Sequence, residues 1–371
     1  MNNQVELRAE KKELNFPLKA LYFYLTEGCN LACRHCWLSP KLQYGQNVFP
    51  ALSIELFRSI IEQAIPLGMT WIKLTGGEPL MHPEILEVFR IIKEKNLGVS
   101  IETNGVLCTL ELAVEIASLN KPSVAVSLDG INAQTHESIR GIKGCFDATL
   151  EGIKNLVQVG LKPQIIFTIM EYNKDQLEPF IRMVESLGAG SIKFNIVQPT
   201  GRGEKLSSSG NYKYIKELIE LGHWIDNVMS KSTKIKLYFD YPPAFRSLRK
   251  MYNKNGDGCS ACGILSILGV LSNGAYALCG IGVQVEDLIF GNSLRDNLSD
   301  IWENNKTLIE LREGIPSRFK GICGKCHMRK ICLSSCVAQN YYQSNSMWEP
   351  FWFCEQAYQN GFFPRSRILP V

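Results

Sequence analysis

The sequence predicts an α/β protein: a partial parallel barrel of six β/α units, followed by a cysteine-rich region that takes its order from metal. Two observations carry this. Between residues 20 and 200, short β-rich runs alternate with helical patterns at intervals of roughly 25 to 45 residues, as repeated crossover units do. After residue 258, eight of the chain's thirteen cysteines fall between Cys259 and Cys354, in a stretch with little apolar periodicity.

The strand candidates are 21–27, 71–77, 99–105, 123–130, 164–170 and 191–197, too few for a full eight-stranded barrel. Between them, 53–66, 83–96, 110–119, 146–160 and 174–187 place apolar residues at helical spacing. Several strands end in glycine turns (GGEP, TNG, LDG), and in parallel β/α folds ligands bind at that carboxyl rim. The pattern breaks at the Gly- and Ser-rich TGRGEKLSSSGNY, continues in a helix over 212–230, and breaks again at YNKNGDG. This divides the chain into an extension (1–20), the partial barrel (21–200), a bridging helix with loops (201–258) and the cysteine-rich domain (259–371).

With 371 residues and 45% apolar content, the chain has ample material for one or two cores. Its charged first fourteen residues are unlike a secretory signal, and its longest apolar stretch, about Ile264 to Leu271, is far short of the ~20 residues that span a bilayer. The expectation is a cytoplasmic protein with free thiols and no membrane contact. A net charge of +4, without a basic run, gives no reason to expect nucleic-acid binding.

Cys29, Cys33 and Cys36 form C-x3-C-x2-C directly after the first strand. A structural zinc site wants four ligands, and only His35 is at hand as a fourth; three thiolates alone suit a cubane cluster with one iron left open. The segment CNLACRHCW resembles the radical S-adenosylmethionine (SAM) enzymes. The resemblance implies a [4Fe–4S] cluster whose open iron is chelated by the amino and carboxylate groups of SAM, and reductive cleavage to a 5′-deoxyadenosyl radical. Gly76-Gly77-Glu78-Pro79, by itself a turn into a helix, matches the family's GGE motif for the SAM amino group. Thr103-Asn104 and Ser127-Leu128-Asp129 look like the family's strand ends near the SAM methionyl and ribose groups. Arg140 matches an arginine placed on the SAM carboxylate, with a plain surface arginine as the other reading.

Cys259, Cys262 and Cys279, then Cys323, Cys326, Cys332, Cys336 and Cys354, resemble the SPASM auxiliary-cluster domain of radical SAM peptide modifiers, with zinc-ribbon pairs as the competing reading. Eight thiolates are the complement for two further [4Fe–4S] clusters, three in all. The family's interleaved ligation implies Cys259, Cys262, Cys279 and Cys336 on the nearer one and Cys323, Cys326, Cys332 and Cys354 on the outer one. Sulfatase-maturing members carry an Asp base after the cysteine corresponding to Cys279; Gly280 stands here, which disfavours formylglycine formation. Cys108 and Cys145 belong to neither set. They read as buried apolar residues or as hydrogen-atom donors to a substrate radical.

The resemblance implies a ribosomally made peptide as substrate, with crosslinking (carbon–carbon or thioether), oxidation, epimerisation or excision as outcomes. About twenty residues precede the first strand, so leader recognition is expected from a separate protein or from direct grip. The aromatic segment Tyr341 to Phe353 offers contact area or packing. A flavodoxin- or ferredoxin-type reductant is implied. Two other readings stand beside this: a radical SAM enzyme for a small metabolite such as a haem precursor or a sugar, and a non-catalytic metal protein.

Overall fold

The computed structural model describes residues 16–42, 49–206, 212–252 and 262–370. Cys259 lies outside the described residues. The six expected strands are present: β1 (Ala20–Tyr24), β2 (Trp71–Thr75), β3 (Gly98–Thr103), β4 (Pro122–Ser127), β5 (Gln164–Ile169) and β6 (Ser191–Ile196). They pair in parallel in chain order. The sheet then goes further than the sequence reading on both edges. β7 (Lys236–Phe239) comes from the segment expected to hold only a helix and loops, and adds in parallel beside β6. β8 (Ile267–Val270), from the cysteine-rich region, adds in parallel beside β1 and leads into the antiparallel β9 (Ala275–Ala277) and β10 (Ile289–Asn292).

Strand periodicity sorts the side chains. Leu21, Phe23, Ile72, Leu74, Val99, Ile101, Val126, Ile165, Phe167, Ile192 and Phe194 are fully buried on one face. Each such side chain contributes roughly 1.5–3 kcal/mol of burial. They pack under α1 (Ile54–Ala64), α2 (Ile85–Glu94), α3 (Leu110–Ala117), α5 (Cys145–Gln158) and α6 (Leu177–Ser186), whose apolar stripes join the same core. Ser53 and Thr109 start α1 and α3 by accepting from the N–H groups of Leu56 and Leu112, each at 3.3 Å. The short α4 (Ala133–Arg140), capped by Asn132, interrupts the crossover after β4. The expected 212–230 helix is α7 (Tyr212–Trp224), which passes into a π turn over Ile225–Met229. Among the described residues no helix is long and apolar enough to cross a membrane.

The alternate strand positions are mostly polar. Tyr22, Lys73, Thr75, Glu102, Ser127, Thr168, Lys193 and Asn195 occupy the other face, so the concave side of the sheet is a lined space and not a packed core.

Candidate active site

The carboxyl ends of the strands and the cysteine-rich region enclose a cavity of about 540 Å³. Its wall includes Cys29, Cys33 and Cys36, and also Gly76, Gly77, Glu78, Thr103, Asn104, Ser127 and Arg140. The loop that carries the three cysteines is held from two sides. The N–H groups of Ala32 and Arg34 donate to the carbonyls of Arg140 and Ile139 at 3.0 and 2.9 Å, so the last turn of α4 finds its partners in this loop. Gly76 takes a φ of +126°, and a Cβ on Gly77 would collide with the Gly28 carbonyl. These glycines let the loop after β2 lie against the start of the cysteine loop, with the Glu78 N–H donating to that same carbonyl at 3.0 Å.

Glu78 is 1% exposed, and its carboxylate is already engaged. One oxygen accepts from Thr103 Oγ1 at 2.7 Å and from the Leu80 N–H at 3.1 Å; the other accepts from the Asn104 N–H at 2.8 Å. Burial pushes this carboxyl up to about 7, against the pull of those donors. Asn104 Nδ2 in turn donates to Asn30 Oδ1 at 2.6 Å, beside Cys29. Glu78 therefore braces the third strand end against the first two.

Arg140 is buried and bridges two partners. Its Nη2 lies 2.7 Å from Asp129 Oδ2, and its Nη1 donates to Cys33 Sγ at 3.4 Å. Burial opposes the Asp129 charge, but Arg140, His35 and the Thr168 N–H at 2.7 Å outweigh it and hold the carboxyl below its ordinary range. Asp129 itself is fully buried and stands behind the cavity wall, unlike the other residues expected around SAM. His136 Nδ1 accepts the Asp129 N–H at 3.1 Å, and burial lowers this imidazole to about 3.

The sequence reading missed the charged lining. Lys73 pairs with Glu102, and its ammonium also lies 4.9 Å from the centroid of the Tyr22 ring. Lys193 Nζ is 3.0 Å from Asp240 Oδ2. Burial would raise Glu102, but Lys73, Lys193 and Thr75 bring it below the carboxylate range. Asn195 Oδ1, Gln198 Oε1 and the Nε and Nη2 atoms of Arg202 are buried on this wall without partners. A polar ligand would satisfy them. The period-2 alternation of WIKLT and SIKFNI, with lysine at the off-core positions, carried the signal.

Cys262, Cys279 and Cys336 line the same cavity as the first three cysteines, while Cys323, Cys326, Cys332 and Cys354 line a separate small pocket with Arg329 and Ser334. Leu333, Ser334 and Ser335 join Cys332 to Cys336 with φ of 51°, 59° and 57°, three non-glycine residues in the left-handed region. Ser334 faces the small pocket and Ser335 the large one, so this bend divides them. The small pocket is furnished with donors to sulfur: Ser334 Oγ and the Phe351 N–H to Cys323, each at 3.4 Å, and the Met328 N–H to Cys326 at 3.3 Å. Cys29 accepts likewise from the Leu31 N–H at 3.4 Å.

Cys108 and Cys145 are both 2% exposed and off the cavity; Cys145 packs behind Cys29 and Cys33. Of the aromatic segment, Trp348 and Phe353 pack in the core, while Phe351 and Trp352 also reach the cavity wall. A Cβ on Gly280 would run into the Tyr24 ring, so the space beside Cys279 is filled by a phenol.

Among the described residues no three His, Cys, Asp or Glu side chains converge as a single metal ion requires. The sulfurs stand around open space and accept N–H and O–H bonds, a donor set that fits iron–sulfur clusters. The unpartnered amide oxygens of Asn195 and Gln198 and guanidinium nitrogens of Arg202 on the same wall fit a polar cofactor.

Comparison with known proteins agrees. The radical SAM superfamily profile matches residues 23–187, and that of the SPASM iron–sulfur cluster-binding domain matches residues 259–327. The AdoMet-dependent heme synthase of Methanosarcina barkeri is 30% identical over 347 residues, 89% of this chain and 94% of its own. The mycofactocin maturase MftC of Mycobacterium tuberculosis is 26% identical over 97% of this chain and 88% of its own. Streptococcus suis SuiB, solved with its precursor peptide SuiA, shares the fold with a TM-score of 0.70 at 19% identity, covering 91% of this chain and 75% of that one. The chain belongs to the radical SAM superfamily, as an enzyme that binds SAM and iron–sulfur clusters and carries a C-terminal SPASM domain.

Proposed function

We propose that this enzyme modifies a ribosomally synthesised peptide inside the 540 Å³ cavity, and that it holds three [4Fe–4S] clusters. Cys29, Cys33 and Cys36 hold the first; Cys262, Cys279 and Cys336, with Cys259, hold the second; Cys323, Cys326, Cys332 and Cys354 hold the third. Bound SAM and its cluster supply one-electron cleavage of a carbon–sulfur bond and the 5′-deoxyadenosyl radical that takes a hydrogen atom from the substrate. The chain's own residues do the positioning. Gly76 and Gly77 would offer main chain to the SAM amino group, Arg140 would face its carboxylate, and Thr103, Asn104 and Ser127 its methionyl and ribose groups. Phe351, Trp352 and Ile281 keep the reacting space dry.

The observation that carries the peptide reading is the charge pairing of the lining. Lys73 is matched by Glu102, Lys193 by Asp240 and Arg140 by Asp129, which leaves Arg202 as the lining cation without a carboxylate partner among the described residues. Such a wall suits an uncharged backbone and a side chain. A haem precursor with several carboxylates would need several unmatched cations. The haem-precursor reading is retained as the second, because the heme synthase relative is similar over most of both chains. SuiB with its peptide and MftC by its name as a maturase favour the first. Leader recognition falls to a separate small protein or to this chain directly, which a pull-down with the leader decides.

Coexpression with short candidate peptides, followed by mass spectrometry in light and heavy water, tests the reading. Loss of two hydrogens marks a crosslink or oxidation, deuterium gain alone marks epimerisation, and a larger loss marks excision. An unchanged peptide in both solvents, with turnover of a haem precursor instead, establishes the second reading.

A further inference from the structure

The outer four cysteines lie under an exposed face built from two segments far apart in sequence. Residues 317–333 carry five Lys or Arg and no Asp or Glu; residues 360–370 carry two Arg and no acid. The structure brings the two together. Cys326 and Ile368 form an antiparallel bridge, the His327 N–H donates to the Arg367 carbonyl at 2.8 Å, and the Leu369 N–H donates to the Lys325 carbonyl at 2.7 Å. Lys325, Lys330 and Arg365 are exposed and Arg329 and Arg367 half-buried.

These five differ from the cations just before them. Arg318 and Lys320 are each matched, by Glu310 and Glu349 at 2.7 Å. Among the described residues, none of the five makes an ion pair with a carboxylate. Arg329 donates instead to the Gly324 carbonyl at 2.6 Å, and Arg367 to the carbonyls of Ala244 and Arg246. The patch is therefore an unmatched positive field, and fields of this kind steer an oppositely charged partner to one orientation.

What lies beneath decides the partner. Arg329 lines the pocket of the four cysteines, and Cys326 and Cys332 are only 7% and 9% exposed, one layer of side chain below the surface. Electron transfer between proteins falls steeply with distance, so a carrier seated here is brought as near to the outer thiols as a surface contact allows.

We propose that the face formed by Lys325, Arg329, Lys330, Arg365 and Arg367 is the docking surface for an acidic one-electron carrier protein. The proposal rests on the reading above that the four cysteines hold a cluster. In the step it serves, one electron leaves the reduced carrier, whose flavin or iron–sulfur centre is oxidised by one equivalent, and enters the enzyme's iron–sulfur centres. No atom is transferred.

The test uses the anaerobic holoenzyme and an acidic flavodoxin as probe. Calorimetry gives Kd at low and raised salt for the wild type, the triple variant K325E/K330E/R365E, the milder K325Q/K330Q/R365Q, and a control with the exposed Lys216→Glu on α7. The wild type is expected to bind with a Kd that weakens as salt rises. The charge-reversed triple should lose about tenfold or more, the neutral triple less, and the control nothing. Flavodoxin-driven SAM cleavage should fall in parallel, while dithionite-driven cleavage stays at the wild-type level, which also shows that the variant is folded. Equal Kd in wild type and both triples, wild-type binding indifferent to salt, or short duplex DNA binding as tightly as flavodoxin would overturn the proposal. Absence of dithionite-driven cleavage in the wild type would instead count against the radical SAM chemistry, and leaves the binding comparison to be read on its own.

Discussion

The guanidinium of Arg140, on the last turn of α4, donates to the sulfur of Cys33 across 3.4 Å in a buried site. The contact links the cysteine loop after β1 to the crossover after β4, and Asp129 behind it at 2.7 Å balances the charge. One residue thus joins the cysteine loop, the cavity wall and a buried ion pair.

Removing Arg140 leaves Asp129 buried with its main counter-charge gone. R140A is expected to destabilise the protein by about 3–5 kcal/mol in denaturant unfolding. R140K restores the charge but not the two-pronged geometry, and should recover part of the stability while SAM binding stays weakened.

His136 gives a pH dependence with a defined sign. Folded, its imidazole is lowered to about 3; unfolded, it titrates at its ordinary 6.5. Below pH 6.5 the unfolded chain takes up a proton that the folded chain refuses, so this contribution is complete above pH 6.5 and is lost as pH falls toward 3. H136N keeps an acceptor for the Asp129 N–H without a titrating ring. Its stability between pH 6.5 and 5 should fall less steeply than that of the wild type in parallel unfolding curves.

Tyr24 and Gly280 share one space. G280A is expected to cost about 1–3 kcal/mol from overpacking. The Y24A/G280A double variant should lose less than the sum of its single changes, since the methyl then enters vacated room. Additive losses in the unfolding cycle would place the two side chains apart.

The Lys193–Asp240 pair lines the cavity in which the substrate is proposed to react. K193M leaves a half-buried carboxylate unmatched and should lower kcat/KM for the modified substrate by about tenfold or more, with SAM cleavage in the absence of substrate unaffected. K193M/D240N should recover part of the loss, as a pair whose members act together requires.

Much of the fold was legible because β1 to β6 and their helices show plain periodicity, and the strand ends coincide with glycine turns. β7 was missed although Ile235, Leu237 and Phe239 alternate with polar residues; four residues between a helix and a Pro-rich turn give a weak local signal. β8, a continuous buried run, gains its strand identity from pairing with β1, about 245 residues away, a partnership no local pattern encodes. For the site, the structure places Gly77 and Arg140 on the cavity wall with the first three cysteines. Asp129 lies behind that wall: its position after β4 was readable, but burial against Arg140 is a tertiary outcome. The lining lysines and acids were visible as polar residues on strands, and only the closing of the sheet shows that they face one another.

Anaerobic reconstitution followed by assay for 5′-deoxyadenosine tests the central claim most directly. The wild type should bind iron and form 5′-deoxyadenosine from SAM with a strong reductant. C29A/C33A/C36A should form none, and C354A should lose about a third of the iron yet still cleave SAM. Iron no higher than trace in the wild type, or product persisting in the triple variant, would contradict the account.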